Sequence, residues 1–248
     1  MLDWTTIAIA LPTLVIAYII FGVAGFGTAL VAAPILAHTM PVASIVPLLA
    51  LLDFAAATIS GFKLSDKIVK AELYWLAPLM VAGSIVGVTL LISLPAKHMM
   101  LLLGIFVSGY GIHSLFAPPI EHKIRKGWVG FFGPIGGVFS AMFGSGGFVY
   151  AIYLSRRLDD KDAIRATQSM LIGLSTLTRV LLFLVVGIYS DVRLLLLAIA
   201  SIPAMAAGTY LGHRLTLRLS REQFLRVVYV LLIGTGTTLI LRAMSEMS

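Results

Sequence analysis

The sequence predicts an all-α polytopic membrane protein made of two inverted-topology repeats, each a broken, re-entrant helix pair followed by three transmembrane helices. Three observations lead there. The first is composition. Of 248 residues 59% are hydrophobic and 12% charged, with a mean hydropathy of +1.02, more apolar sequence than a soluble core of this size needs. Apolar runs fall near 4–37, 41–61, 72–93, 97–117, 128–155, 163–187, 192–213 and 222–243, and most match the twenty or so residues of a membrane helix. The short alternating segments of a membrane β-barrel are missing.

The second observation is that the first and fifth runs are too long for one ordinary span, and each carries a glycine cluster. These are "GFGTALVAAPIL" at 25–36 and "MFGSGGFVYAIYL" at 142–154. A helix meant only to span gains nothing from residues that weaken it, so each run reads as two half-helices that enter the membrane and turn back. Basic residues test that choice. With two hairpins, loops 62–71, 117–127 and 214–221 hold three each and loop 156–165 holds four, all on one side; Lys97, Arg193 and Arg242 lie opposite. With single spans the same residues divide evenly. Lys and Arg favour the cytoplasmic side, which selects the hairpins and places both termini outside the cytoplasm.

The third observation is an internal offset. Pro78, Gly83, Gly87, Leu94, Gly109 and Gly111 recur 125 residues later as Pro203, Gly208, Gly212, Leu219, Gly234 and Gly236. Gly25 and Gly27 recur 119 residues later as Gly144 and Gly146. Five membrane-entering elements per half is an odd number, so the second half begins on the opposite side from the first. The expected division is an N-terminal repeat 1–116, a cytoplasmic linker 117–127 and a C-terminal repeat 128–248.

Several functions are disfavoured. The net charge of +7 is spread over short connections rather than one face, which argues against nucleic acid as a partner. The chain has no cysteine, so disulfides, thiol catalysis and cysteine metal sites are excluded. The N-terminus lacks a basic n-region and a small-residue cleavage site, so the first apolar segment is expected to stay in the mature protein. No H-E-x-x-H, G-x-S-x-G or P-loop motif occurs, and the five histidines have no ligand spacing. No enzyme activity, cofactor or metal is expected. Trp4, Trp75 and Trp128 stand at segment starts, as interface anchors do.

The chemistry concentrates at the two tips. A half-helix starting after Gly27 or Gly147 leaves unpaired backbone N–H groups at the positive end of its dipole, and glycine lets an anion approach that backbone. The candidate binding residues are Gly25, Phe26, Gly27 and Thr28 in the first tip and Gly144, Ser145, Gly146 and Gly147 in the second. Thr28 and Ser145 would add hydroxyl donors. The plainer reading is that these glycines serve close helix packing. Arg179 lies inside an apolar stretch, where an arginine usually faces a cavity or partner, and its guanidinium suits oxyanions; the alternative is snorkelling to the outer interface. Gln168 and Ser175 lie on the same helix, and Ser175 shares a face with Arg179. Asp53, near the middle of its span, is either a proton-coupling carboxylate or the partner of a buried cation such as Arg179.

The two segments "GFGTALVAAPIL" and "GSGGFVYAIYL" resemble the paired GxGGG-x₄-P-x-L signature of the TauE/SafE sulfite exporter family, also called TSUP transporters. The likeness extends over nearly the whole chain, including the P…G-x-x-x-G helices at 78–87 and 203–212. Thr28 stands at the third glycine of the first copy, and Tyr153 stands where the second copy would have proline. The resemblance implies a secondary carrier, by expectation an exporter in the bacterial inner membrane. Its substrate class would be a small oxyanion such as sulfite or an organosulfonate, bound between the tips and moved by alternating access. A channel for the same anions, a carboxylate permease and a non-transporting scaffold are the alternatives. The implied partners are the small anion and the lipid bilayer, and a homo-oligomer is compatible with the sequence.

Overall fold

The computed structural model describes residues 4–24, 27–59, 66–116, 123–215 and 221–247, and among them every regular element is a helix. The first half holds α1 (Trp4–Ala24), α2 (Thr28–Leu36), α3 (Val42–Ile59), α4 (Lys70–Ser93) and α5 (Ala96–Phe116). The second half holds α6 (Val129–Phe143), α7 (Gly147–Arg157), α8 (Lys161–Val185), α9 (Val192–Leu215) and α10 (Arg221–Ser245). Six of these, α1, α4, α5, α8, α9 and α10, are long and apolar enough to cross a membrane.

Each half breaks where its glycine cluster stands, but the two pairs differ in length. α6 and α7 have 15 and 11 residues, as half-helices should. α1 has 21 residues and α2 only nine. The expectation of two half-helices is thus corrected for α1, which is long enough to span. Nothing in 4–21 stops it: Pro12 is absorbed within the helix, and the αL break comes only at Gly27, with φ 99°. Pro34 also sits inside its helix. α2 is nearly swallowed by the protein, with all of its residues buried except Ile35. α3 lies in the same interior; Ile45, Leu48, Leu49 and Leu52 are buried.

Association of helices in lipid depends on close packing, because the tails offer no hydrophobic drive. Here that closeness comes from glycine seams, and the seams repeat when the halves are exchanged. A Cβ on Gly83 of α4 would lie 2.0 Å from the Pro134 carbonyl oxygen of α6. One on Gly208 of α9 would lie 2.5 Å from the Val15 carbonyl oxygen of α1. Gly208 is the 125-residue counterpart of Gly83, and Val15 is the 119-residue counterpart of Pro134. Gly87 against Val138 and Gly212 against Ile19 repeat the relation. The third seam pairs α5 with α10, where Gly111 meets the Tyr229 carbonyl and its counterpart Gly236 meets the Gly104 carbonyl. So α4 packs on α6, α1 on α9 and α5 on α10, each contact joining one half to the other.

Trp75 and Trp128 are both about half exposed, with the Lys126 ammonium 4.9 Å from the Trp75 ring centroid. Gly109 and Gly234 occupy the same repeat as the seam glycines but face open space. Gly83→Ala and Gly208→Ala should each lower stability by about 1–3 kcal/mol through overpacking. Gly109→Ala and Gly234→Ala should leave it unchanged or slightly raised, since alanine is the better helix former. Thermal unfolding of the four variants in one detergent checks this.

Candidate functional site

A buried polar side chain in an apolar interior needs partners, and the partners here gather around one cation. Arg179 sits in the C-terminal half of α8, followed by apolar residues to Val185. It is only 2% exposed, so it does not snorkel to an interface. Its Nη2 donates to Thr176 Oγ1 at 3.1 Å, one helical turn back, and lies 3.5 Å from Asp53 Oδ2 on α3. Asp53 thus makes the ion pair expected of a carboxylate beside a buried cation. The other oxygen of that carboxylate, Oδ1, accepts from Tyr18 Oη of α1 and Thr28 Oγ1 of α2, both at 2.9 Å. Three helices of the first half thus converge on one residue of the second.

The remaining donors of the guanidinium are idle. Arg179 Nε and Nη1 are buried without a hydrogen-bond partner. Nη1 is aimed at the second break: a Cβ placed on Gly144 would be 3.1 Å from it and 2.5 Å from Ala29 Cβ, at the start of α2. Gly144 also has φ 71°, in the left-handed region that glycine enters without penalty. Both its conformation and its missing side chain are needed for the two breaks to meet beside Arg179.

The two tips are not equivalent. Gly27 caps α2 in the left-handed region and has room beside it, since a Cβ there would meet only Leu30 Cδ1, at 3.8 Å. In the second tip the backbone donors of Gly144 and Ser145 are occupied, donating to the carbonyls of Ser140 at 2.8 Å and Phe139 at 3.3 Å. The Ser145 hydroxyl donates to the Phe143 carbonyl at 3.3 Å. Gly146 is a seam glycine, since a Cβ there would come 2.3 Å from the Gly136 carbonyl oxygen and 2.7 Å from Ser140 Cβ. Free N–H groups at this end therefore begin beyond Ser145, in the first turn of α7.

Of the other expected residues, Thr28 joins the Arg179 cluster directly. Ser175 pairs its hydroxyl with Ser140 at 2.5 Å, tying α8 to α6 just before the break. Gln168 lies eleven residues from Arg179, about 16 Å along the helix axis; its Nε2 donates to the Gly147 carbonyl at 3.4 Å, so it belongs to the α7 tip. Gly25 and Phe26 lie outside the described residues. Sequence reasoning missed Tyr18 and Ser140. The available signals were a phenol buried in an apolar run and a serine four residues before the break.

Two further polar clusters join the halves at opposite ends. At one, Glu72 of α4 is buried and accepts from Arg157 Nη2 at 2.8 Å, Arg157 Nε at 3.1 Å and Tyr153 Oη at 2.7 Å. At the other, Arg242 Nη1 of α10 donates to the His38 carbonyl at 2.8 Å, after α2, and lies 3.2 Å from His38 Nδ1. Partial burial and then the Arg242 charge hold the His38 imidazole below its usual range, which keeps the ring neutral beside that guanidinium.

Six span-length helices around a buried cation, with two helix breaks touching at it, define a multi-pass membrane protein of the transporter class. The chain belongs to the family described as "Sulfite exporter TauE/SafE", whose sequence model matches residues 10–239. It is a membrane transporter of that family. It is also similar to "Probable inner membrane transporter protein TsaS" of Comamonas testosteroni, at 24% identity over 193 residues, covering 77% of this chain and 81% of that one. No solved structure matches the chain.

Breaking a buried ion pair by removing one partner typically costs about 3–5 kcal/mol, whereas replacing both by apolar residues can be neutral. Arg179→Met and Asp53→Leu should each lower stability by that order, and the double variant should recover a large part of the loss. A double-mutant cycle on thermal stability measures it.

Proposed function

We propose that the protein is a secondary carrier for a small oxyanion, sulfite or an organosulfonate, bound at Arg179 where the two helix breaks meet. The observation that carries this reading is the pair of unpartnered, buried guanidinium nitrogens, Nε and Nη1, the second of them beside Gly144 where it meets the start of α2. An unpaired buried donor is costly, and a guanidinium is matched to planar or tetrahedral oxyanions. The α2 N-terminus adds the positive end of a helix and, at Gly27, room for close approach. Burial of Arg179, Thr28 and Ser145 favours an occluded carrier over an open channel.

The exchange of seams between the halves supports two inverted repeats, 1–116 and 128–248, joined by 117–127. Rocking one repeat against the other would expose the centre to each side in turn. The two end clusters are placed to serve as latches for that motion, Glu72 with Arg157 at the cytoplasmic end and Arg242 with His38 at the outer end. In this reading both are closed. The name of the Comamonas relative supports an inner-membrane location, and that of the family supports export. Membrane potential, inside negative, favours exit of an uncoupled anion by about 2.3 kcal/mol per charge per 100 mV.

Arg179→Lys keeps the charge and loses the planar fork, so sulfite-class binding should weaken at least tenfold, read by thermal shift or calorimetry. Wild-type affinity in this variant would overturn the site. The orientation has its own test. Lys123, whose side chain is 71% exposed, should be cytoplasmic, so Lys123→Cys should resist an impermeant thiol reagent added outside intact cells. Rapid labelling would invert the topology.

A further inference from the structure

The way Asp53 and Arg179 meet constrains how any anion can bind, and resting on the oxyanion reading of Arg179 it sets the coupling of the carrier. A guanidinium has two edges for bidentate contact, one formed by Nε with Nη2 and one by Nη1 with Nη2. Nη2 belongs to both. It is the nitrogen already engaged by Thr176 and Asp53, and the unpartnered pair, Nε and Nη1, flanks it. An incoming oxyanion can therefore touch one idle nitrogen at a time, or take a full edge by displacing a partner of Nη2, the Thr176 hydroxyl or the Asp53 carboxylate, and only the carboxylate competes with it as an anion.

Displacement leaves a charge problem. The titratable and charged groups acting on Asp53 are Arg179 from α8 and Tyr18 from α1, with the Thr28 hydroxyl of α2 completing its surroundings. One cation then faces two anions in a dry interior, and a buried charge without a counter-charge is strongly disfavoured. The oxygens of Asp53 are unequal in a way that resolves this. Oδ1 is held by two hydroxyl donors, while Oδ2 faces Arg179. A proton on Oδ2 removes the excess charge and turns the oxygen nearest the site into a donor.

We infer that Asp53 is a built-in competitor for the substrate: in the empty carrier it holds the guanidinium edge that the oxyanion takes, and binding of a monoanion is accompanied by uptake of one proton on Asp53 Oδ2. The balance is simple. The empty site carries one guanidinium and one carboxylate; the loaded site carries the guanidinium, the substrate anion and a neutral carboxylic acid whose proton comes from the medium. Both states are neutral, so the cycle moves one proton with each monoanion and no net charge. Direction then follows the combined anion and proton gradients instead of membrane potential.

The test uses the full chain in detergent and methanesulfonate as probe, because a sulfonate stays ionised across the working range and any proton taken up belongs to the protein. Calorimetry in buffers of different ionisation enthalpy counts the protons. Wild type should take up about one proton per anion, with affinity falling about tenfold per pH unit on the alkaline side. Asp53→Asn should take up none, bind with a flat pH profile and bind more tightly than wild type at neutral pH. Tyr18→Phe keeps the carboxylate and loses one donor to it, so it should keep the uptake and move the profile to higher pH; this variant serves if Asp53→Asn does not fold. No uptake in wild type, or one full proton in Asp53→Asn, overturns the inference. Arg179→Gln separates the two ideas. If it abolishes binding while wild type takes up no proton, the oxyanion site stands and the coupling falls. If it binds like wild type, or wild type does not bind methanesulfonate, the site itself is wrong and the coupling falls with it.

Discussion

A guanidinium enclosed by hydrocarbon-facing helices must be given counter-charge and acceptors by the protein, since lipid offers neither. Meeting that demand at Arg179 organises the centre of the molecule. Asp53 on α3 supplies the counter-charge. Asp53 in turn needs donors, which come from Tyr18 on α1 and Thr28 at the first residue of α2. Thr28 reaches it only because α2 starts in the interior, and α2 starts there because Gly27 breaks the chain in a left-handed turn. Gly144 breaks it again on the opposite side, close enough that a methyl group would touch both Ala29 and the arginine. The helix breaks and the charged pair are thus one construction.

The scaffold around this centre is built on a different principle. Its three seams use glycine to bring backbones together, α4 to α6, α1 to α9 and α5 to α10. Each seam joins helices of opposite halves, so the halves embrace instead of standing side by side. The shorter elements α2, α3 and α7, with α8, fill the space between. Polar contacts across the halves then fall at three levels, the Glu72 cluster at one end, Arg179 with Asp53 in the middle and Arg242 with His38 at the other. Exposed pairs such as Lys123 with Asp159 add little. The buried pair of Arg179 with Asp53 is where the loss of one partner costs most.

Much of this was legible in the sequence because the signals were one-dimensional. Both breaks follow from glycines inside long runs, and six spans are expected and found among the described residues, but α1 takes the place of α3, whose apolar stretch Val42–Thr58 is shorter than a span. Arg179 and Asp53 stand out because charges in such runs are rare. What stayed hidden depends on what lies across the open side of a residue. Gly27 and Gly146 hold the same place in the two repeats, yet a Cβ on the first would meet only a leucine methyl at 3.8 Å and one on the second a carbonyl oxygen at 2.3 Å. Gly83 and Gly109 fall in the same repeat block, and only the first is a seam. Gln168 shares a helix with Arg179 but not a neighbourhood, because the α7–α8 turn sets it against Gly147. Tyr18 was invisible for the opposite reason: a phenol in an apolar run reads as one more aromatic until its acceptor is known.

The two halves share a backbone pattern and differ in what they place at its centre. The acid and its two hydroxyl donors come from the first half, and the base comes from the second. At the tips, Thr28 and Gly147 are counterparts, one bonded to the acid and the other offering its carbonyl to Gln168. A symmetric pair of sites would have put two acids or two bases at the junction, and like charges there would repel. Unlike charges attract across the junction, and in the proposed cycle they would give way to a substrate that replaces the acid at the arginine. Symmetry in the seams and asymmetry in the charges are therefore complementary in the proposed cycle: the first would let the halves move as equivalent bodies, and the second would make their closure depend on what is bound between them.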